Sequence, residues 1–365
     1  MAKDVKELLK KYESEGYEET DEIEEKPRTV KGEVSTIREI KREKEVKLDL
    51  KDRKILYQLE LNARQPSSKI AKKVGLSKEV VNYRIKRLES EEVIKGYYAL
   101  IDLSKLGYLH FRVYLKLIDS SPKKEKEIID YLVLCKETSH VADIDGSFDI
   151  AFGVAVKNIL SFESFYNKFK QNFKEYLGKE QISIFTAVYH FNRSYILDEK
   201  IRKTSAGIVG KSNEESYDEA DLKILEILTK NSRVPLIDVA EKISMPERTV
   251  AFRIKKLEQR KIILGYKPLF NLGKLGFEYY KLDIALRSLS KIKRLTNYAE
   301  ENPFVIYIDQ TIAGSDFEID VEVKNKTHLF QIIEELKSEF SDIREINYFT
   351  LISYNKLVYL PDSDF

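Results

Sequence analysis

Two short charged segments contain the residues of this chain whose types and spacing could do chemistry. RIKRLESEEVIKGY runs from Arg84 to Tyr97, and a close copy, RIKKLEQRKIILGY, runs from Arg253 to Tyr266. Lys and Arg spaced along a helix can bind phosphate groups, and polar side chains between them can reach base edges. Although 34% of residues are charged, the formal net charge is only +2. Any nucleic-acid affinity must therefore come from local clusters of this kind.

Catalytic and metal chemistry have no comparable support. Cys135 is the one cysteine, which excludes a disulfide framework and a cysteine-based zinc site and favours an intracellular location. The four histidines are scattered without metal-ligand spacing: His110, His140, His190 and His328. We therefore predict no enzyme activity, no catalytic residue, no metal and no cofactor. No apolar run reaches the length of a membrane span and no signal peptide precedes MAKDVKELLKK, so we expect no membrane contact and a cytoplasmic protein.

The two segments belong to a long internal repeat. Residues Asp52–Gly107 align without gaps onto Asp221–Gly276, and 24 of the 56 aligned positions are identical. Weaker similarity continues: IDGSFDIAFGVAVKN, from Ile144, faces IAGSDFEIDVEVKN, from Ile312. The chain is therefore organised as A-B-A′-B′, which indicates duplication of a whole two-domain protein.

Unit A reads as three short helices followed by a strand. On the third helix Val81, Ile85 and Leu88 lie on one side, so the residues between them point away from the core. The segment Val93–Tyr97 reads as a strand that turns at Gly96, which would form a wing. This order predicts a winged helix-turn-helix, whose third helix enters a major groove.

Unit B has strand and helix patterns in the order βαββαβ, and unit B′ repeats them. That order predicts a ferredoxin-like split-βαβ sandwich. The predicted fold class is therefore α+β, with two copies of a winged helix-turn-helix followed by a ferredoxin-like domain. Strands such as FRVYLKL and AFGVAV carry apolar residues on both faces, so we expect the open sheet face to need a partner sheet.

The motif from Leu48 to Tyr97, including NAR, AKKVGLS and RIKRLE, together with the GSFD turn of unit B, resembles the Lrp/AsnC (feast/famine) family of transcription regulators. The resemblance covers about 150 residues twice. It implies a winged helix-turn-helix that binds promoter DNA and a ligand-sensing dimerisation domain of the RAM type. It also implies that sheets of two such domains pack together and that small effectors, often amino acids, bind near that interface.

The copies differ at positions that matter. Gly75 and Ser77 become Ser244 and Pro246, so the second recognition helix loses its N-cap, and Ser244-x-x-Glu247 is a candidate capping box about one turn earlier. Asp149 of the G-x-x-D turn is matched by Glu318 after an insertion. The two effector sites are therefore expected to differ, or one to have been lost.

Residue roles follow from these patterns. Asn82 and Arg87 are predicted to reach base edges, with Arg248 as the counterpart in the second copy. The other predicted DNA-binding residues are Lys78, Tyr83, Lys86, Lys95, Phe252, Lys255, Lys256 and Lys267, of which Lys86, Lys95, Lys255, Lys256 and Lys267 are expected on phosphates. For Arg84 and Arg253 a phosphate contact and a fold-stabilising contact both stay open. Candidate effector-binding residues lie in the two turns: Gly146, Ser147, Asp149, Gly314, Ser315 and Glu318.

The predicted domains are a charged N-terminal extension (1–47), a winged helix-turn-helix (48–105) and a ferredoxin-like domain (106–197). A linker treated as flexible (198–216), a second winged helix-turn-helix (217–274) and a second ferredoxin-like domain (275–365) follow. The expected partners are double-stranded DNA and an amino-acid-like effector, with units B and B′ paired within one chain as a pseudo-dimer that reads an imperfect palindrome. A homo-oligomer with B paired to B and B′ to B′ between chains is the rival arrangement.

Two other functions stay open. Sirohaem decarboxylases resemble the same two-domain arrangement and work as paired related subunits, and His110 and His190 are the plausible participants here. An architectural DNA-packing protein would bind without sequence preference. The N-terminal extension passes from acidic to basic and is expected to be a helix, a disordered arm or a contact for another transcription component.

Overall fold

The computed structural model describes residues 44–197, 205–210 and 213–360. Most of the predicted N-terminal extension lies outside the described residues. No helix in the described ranges is long and apolar enough to cross a membrane.

Each copy begins with three helices. In the first copy they are α1 (Leu50–Leu61), α2 (Ser67–Val74) and α3 (Lys78–Ser90), and in the second α6 (Glu219–Lys230), α7 (Leu236–Lys242) and α8 (Glu247–Gln259). The first helix of each set starts with a reciprocal capping box, Asp49 with Asp52 and Asp218 with Asp221. These caps satisfy backbone N–H groups that a helix start leaves unpaired.

The strand after each recognition helix finds its partner in the other copy. β1 (Ile94–Ile101) runs through Gly96 without turning and pairs antiparallel with β7 (Ile263–Phe270) of the other copy. The prediction of a turn at Gly96 is therefore wrong, because the backbone hydrogen bonds of each strand are completed by the opposite copy rather than by a local hairpin. The result is a two-stranded sheet that joins the two helix-turn-helix units.

The ferredoxin-like prediction is confirmed in both copies. The first copy contains β2 (Leu109–Leu117), α4 (Pro122–Leu134), β3 (Thr138–Asp145), β4 (Ile150–Val156), α5 (Ile159–Phe173) and β5 (Leu177–Phe191). The second contains β8 (Glu278–Leu286), α9 (Ile292–Glu301), β9 (Val305–Ile312), β10 (Phe317–Val323), α10 (Lys326–Glu339) and β11 (Ile343–Leu357), after a helical turn at Leu272–Leu275. Short 3₁₀ turns lie at Leu103–Leu106, Lys174–Tyr176, Ser194–Ile196 and Leu289–Lys291.

The two four-stranded sheets join edge to edge. Strand order is β2-β4-β3-β11-β8-β10-β9-β5, and β5 pairs again with β2, so eight strands form a closed ring. Closure leaves none of these eight strands with an unpaired edge. The helices pack on the outside: Phe111 of β2 stacks on Phe162 of α5 with ring centroids 3.8 Å apart. Alternate residues of each strand therefore face the interior of the ring.

Part of the predicted flexible linker is ordered structure. Residues Ser205–Gly210 form β6, which adds to β5 outside the ring. The Gly210 backbone N–H donates to the Asp102 carboxylate at 2.9 Å, and the Glu215 N–H donates to the Lys105 carbonyl at 2.8 Å. Treating residues 198–216 as flexible throughout is therefore wrong, since residues 205–210 form a strand and Gly210 and Glu215 contact the first copy.

Candidate nucleic-acid interface

The first recognition helix, α3, is fixed by a cap and an apolar stripe. The Ser77 hydroxyl accepts from the Val80 N–H at 3.2 Å, which starts the helix where the sequence predicts. Val81, Ile85 and Leu88 are buried, as their spacing requires. The predicted contacts on the opposite side are exposed: Lys78, Asn82, Tyr83 and Lys86.

The second recognition helix, α8, starts without a side-chain cap. Pro246 occupies the N-cap position and Ser244 has a left-handed φ of 54°, so the predicted Ser244–Glu247 capping box is wrong. Proline fits here because the start of a helix does not need its missing N–H. The predicted contact residues of this helix are all exposed: Arg248, Phe252, Lys255 and Lys256.

A large aromatic side chain lies at the same position on both exposed faces. Tyr83 is 68% exposed and Phe252 is 67% exposed. Neither packing within the described chain nor solubility favours an aromatic ring there. An exposed ring on a recognition helix is suited to apolar contact with a thymine methyl group.

The paired arginines of the repeated segment stabilise the fold. Arg84 donates to Asp49 at 2.8 Å and to Asp52 at 2.7 Å, the two residues of the α1 capping box. Arg253 makes the same contacts, to Asp218 at 2.9 Å and to Asp221 at 2.8 Å. Each arginine therefore ties the recognition helix to the start of the first helix, which decides between the two roles left open by the sequence.

Arg87 is not a free base-reading side chain. Its guanidinium lies 2.6 Å from the buried Asp52 carboxylate and 3.8 Å from Glu91. The prediction that Arg87 reaches base edges is therefore corrected, because the side chain lies at the flank of the apolar stripe and neutralises Asp52. In the second copy Lys256 replaces it and stays exposed.

The two lysines predicted to contact phosphates from the strands differ. Lys95 of β1 is exposed, whereas Lys267 of β7 is only 5% exposed. The Lys267 ammonium donates to the Glu60 carbonyl at 2.8 Å and to Asn192, and burial lowers its pKa. Lys267 as a phosphate contact is therefore wrong: β7 faces α1 of the other copy, a contact that no local pattern indicates.

Reciprocal loop contacts hold the two helix-turn-helix units together. Arg64 donates to the Ser232 and Val234 carbonyls at 2.5 and 3.0 Å, and Arg233 donates to the Ala63 carbonyl at 2.5 Å. Each guanidinium also lies over a tyrosine ring of the other copy, Arg64 on Tyr266 at 5.8 Å. Because these contacts are made in both directions between the copies, they fix the position of one helix-turn-helix unit, and of its recognition helix, relative to the other.

The two candidate effector turns differ in what surrounds them. Gly146 and Ser147 line a cavity of about 1340 Å³, whose walls also include interior residues of the ring such as Arg112 and Lys281. Neither Gly314 nor Ser315 lines this cavity; the Ser315 N–H donates to Glu318 at 3.0 Å. Only the first turn therefore borders a volume large enough for a small molecule.

The matching of Asp149 with Glu318 is wrong. Asp149 accepts from the Leu117 N–H at 2.8 Å, and Asp316 accepts from the equivalent Leu286 N–H at 2.7 Å. Asp316 is therefore the counterpart of Asp149. Glu318 lies in the ring interior, where Arg112 donates to it at 2.6 Å, so it is occupied by an ion pair between the copies.

That interior holds a charged cluster that the sequence reasoning missed. Arg112 and Lys281, at equivalent positions in β2 and β8, contact the carboxylates of Asp309, Glu318 and Asp320. His110 and His140 lie beside them with ring centroids 6.0 Å apart, and burial lowers the pKa of His110 to about 4 and that of His140 to about 3. Glu318, Asp320 and Glu322 alternate along β10, and this pattern could have indicated the cluster. One face of the strand packs under the helices, so acidic residues on the other face need partners of opposite charge.

The described residues contain no group of three or more His, Cys, Asp or Glu side chains that could hold a metal ion.

The candidate interface consists of the two exposed recognition helices. Both lie in segments matched by a family model described as winged helix-turn-helix DNA-binding, at residues 48–95 and 217–263. The fold and the match define a winged helix-turn-helix DNA-binding protein.

Relatives refine that class. The chain is 32% identical over 122 residues to an uncharacterised HTH-type transcriptional regulator of Pyrococcus horikoshii, covering 33% of this chain and 76% of the relative. It is 45% identical over 60 residues to the HTH-type transcriptional regulator LrpA of the same organism, covering 16% of this chain and 43% of the relative. The chain belongs to the Lrp/AsnC family of HTH-type transcriptional regulators.

A solved structure matches most of this chain in fold. The siroheme decarboxylase NirDL is 14% identical, with a TM-score of 0.58 over 85% of this chain and 94% of that one. At this identity the likeness shows the fold alone.

Proposed function

We propose that this regulator binds double-stranded DNA sequence-specifically and that the two recognition helices of one chain read the two halves of its site. The observation that carries the proposal is the pair of matched exposed faces on α3 and α8, each centred on an aromatic ring. The Arg64 and Arg233 contacts support a fixed distance between the two helices. A fixed distance is what recognition of two half-sites on one face of a duplex requires.

The exposed side chains divide into two roles. Asn82 and Arg248 reach base edges, and Tyr83 and Phe252 contact apolar groups in the groove. The remaining cations contact phosphates and position the protein: Lys78, Lys86, Lys95, Lys255 and Lys256. Because Asn82 is replaced by Ala251 in the second copy, the target is an imperfect palindrome.

We infer further that a small effector, of the amino-acid class implied by the family, modulates DNA binding from the first turn. Gly146 and Ser147 border the cavity, while the second turn is closed by the Glu318 contacts. A single effector site per chain is therefore favoured. Gly146 has a φ of 139°, and a Cβ there would meet Phe349 at 2.9 Å, so Gly146→Ala should disturb the turn and reduce the effector response.

The deciding experiment selects genomic fragments bound by the full chain, with and without a panel of amino acids, and footprints the enriched sites. We expect one imperfectly palindromic site per chain. Tyr83→Ala should relax sequence preference in one half and Phe252→Ala in the other, whereas Ser90→Ala, on the same helix as Tyr83, should change neither. A perfectly symmetric site protected by one chain, or equal retention of all fragments, would contradict the proposal. Protection by two chains carrying four winged units would favour the rival homodimer.

The decarboxylase alternative is weaker on electrostatic grounds. The related enzyme was crystallised with an iron-uroporphyrin III analogue, whose carboxylates need cationic partners. In this chain the interior strand β10 presents Glu318, Asp320 and Glu322, which would repel such a ligand. Titration of the protein with a carboxylated porphyrin, followed by its absorbance, should show no saturable binding.

A further inference from the structure

The duplication has made the two inner faces of the ring chemically unlike. On β4, Ala151, Gly153 and Ala155 pair with Tyr114, Arg112 and His110 of β2. On β10, the equivalent positions are Glu318, Asp320 and Glu322, paired with Asp283, Lys281 and Tyr279 of β8. The first copy therefore contributes small side chains to the interior where the second contributes carboxylates.

The carboxylates outnumber the cations around Lys281. Lys281 lies 2.5 Å from Asp309, 3.1 Å from Glu318 and 3.1 Å from Asp320. Arg112 adds contacts to Asp309 and Glu318. With Asp283 beside them on β8, two cations face four carboxylates. Two negative charges are therefore left without a protein counter-charge in a low-dielectric interior, where such charges are costly.

The neighbouring ion cluster does not supply the missing cations. Arg193 is bound by Glu322 at 2.8 Å and lies 3.4 Å from Glu60, which also holds Lys267 at 3.3 Å. These two cations and two carboxylates neutralise each other. Arg193 and Lys267 therefore have no charge to spare for Asp283 or Asp320.

Two of these carboxylates keep an oxygen without a hydrogen bond. Asp320 is only 4% exposed, and its Oδ1 accepts no hydrogen bond from the described protein, although Lys281 is near; Asp283 Oδ1 likewise accepts none. Burial raises the pKa of Asp283 to about 6 and that of Asp320 to about 7. Asp320 therefore has to share Lys281 with Asp309 and Glu318, and the two cations do not balance the four carboxylates.

The volume beside Asp320 suits an organic cation. The cavity of about 1340 Å³ is bordered by Asp320, Asp309 and the small Ala151, so the space left by the first copy lies next to the acids of the second. Aromatic rings line the same cavity: Tyr114, Tyr279, Tyr307, Phe349 and Tyr354. Carboxylates combined with aromatic rings are the usual surroundings of bound ammonium groups.

We propose that the ring interior is a binding site for a small aliphatic ammonium compound, with Asp320 at the cavity wall as its anionic partner, Asp283 as the source of the second unbalanced charge, and the Ala151 side of the first copy as the space that admits it. A diamine matches the two unbalanced charges. The site is distinct from the recognition helices, and the proposal does not depend on DNA binding because it is tested on the free protein.

The test measures binding to the full chain by calorimetry and by thermal unfolding at pH 8, where both aspartates are ionised. 1,4-Diaminobutane is compared with 1-aminobutane, with the uncharged 1,4-butanediol and with sodium chloride at equal ionic strength. We expect saturable binding and a raised Tm for the diamine, weaker binding for the monoamine and none for the diol.

Two variants and one control locate the site. Asp320→Asn removes a carboxylate, and Ala151→Leu fills the space without changing any charge; each should weaken diamine binding at least about tenfold. Glu163→Gln, an exposed acid on α5, should leave it unchanged. Absence of saturable binding, equal binding of the diol, or diamine affinity that both variants retain would overturn the proposal.

Discussion

Arg112 of the first copy donates to Glu318 of the second at 2.6 Å, and both side chains are almost wholly buried. The same guanidinium donates to Asp309 at 3.1 Å and lies over the ring of Phe185 at 5.0 Å. This ion pair connects two sheets that are far apart in sequence. It links the two copies across the interior of the ring, in addition to the strand pairings that close it.

Replacing that cation should destabilise the whole chain. Arg112→Met leaves Lys281 as the cation that Glu318 and Asp309 share, and loss of one partner of a buried pair costs about 3–5 kcal/mol. Lys116→Met on the same strand is the control, since its pair with Asp149 is partly open to solvent and should cost less than about 1 kcal/mol. Denaturant unfolding compares the two, and equal losses would contradict a special role for Arg112.

Adding even one methyl group at Gly153 should destabilise the fold. A Cβ at this position would collide with the His140 ring and the Ser139 hydroxyl, which lie directly over it. We expect Gly153→Ala to cost roughly 1–3 kcal/mol, the range for overpacked interiors. At Gly96 an added Cβ would have no neighbouring atom within 4 Å, so Gly96→Ala should change the free energy of unfolding by less than about 0.5 kcal/mol. Similar unfolding midpoints for the two variants would contradict the packing argument.

The two helix-anchoring arginines should differ in importance. Arg84 shares Asp52 with Arg87, whereas Arg253 has no second arginine at Asp221. Arg253→Met should therefore raise amide exchange in α8 more than Arg84→Met raises it in α3. Hydrogen–deuterium exchange of the two variants measures this directly. Faster exchange in α3 than in α8 would show that Arg87 does not compensate.

Salt dependence should separate phosphate contacts from groove contacts. Lys86→Ala and Lys255→Ala should each reduce the slope of log affinity against log salt by about 0.9, the value for one phosphate contact on B-DNA. Tyr83→Ala and Phe252→Ala should lower affinity for the selected site while leaving the slope unchanged. Binding isotherms between 50 and 200 mM salt, roughly the range in which such slopes are read, provide the measurement. An unchanged slope in both lysine variants would remove them from the interface.

The free energy of unfolding should decrease as the pH rises toward 8, because Asp320 then loses its proton. Burial raises the pKa of Asp320 from 3.8 to about 7. The charge of Lys281 opposes this increase and the charge of Asp309 adds to it, but burial is the largest effect. Tyr279 donates a hydrogen bond to one oxygen of Asp320. A raised folded-state pKa contributes stability that is complete below pH 3.8 and is lost as the pH rises through 7. Asp320→Asn should therefore flatten the decline in Tm between pH 5 and 8, by an effect on the order of 1–3 kcal/mol.

Buried histidines should govern how the stability of the fold decreases at acidic pH. Burial lowers the pKa of His110 to about 4 and that of His190 to about 3, from 6.5. Their contribution is complete above pH 6.5 and is lost as the pH falls toward 4, because the unfolded chain then binds protons that the folded chain excludes. His110→Gln should reduce the loss of Tm between pH 6.5 and 4, and an unchanged acid limb would contradict the assignment.

Much of the molecule could be predicted from local patterns. The spacing of Val81, Ile85 and Leu88 indicates the recognition helix because helical periodicity is a local property, and duplication repeats it at Val250, Ile254 and Leu257. The βαββαβ order was equally readable. The roles of Arg87 and Lys267 were not, because an exposed and a buried cation look alike until the element packed against them is known.

By itself, then, the sequence determined the repeat, the elements of each unit and the exposed aromatic and basic faces of α3 and α8, all of which depend on near neighbours in the chain. Only the tertiary structure decided that β1 pairs with β7 and that the two sheets close through β3·β11 and β5·β9. These pairings join residues more than 110 positions apart, so no local pattern encodes them. They bring Arg112 to Glu318, and they place Asp320 of one copy and the small Ala151 of the other around the same cavity.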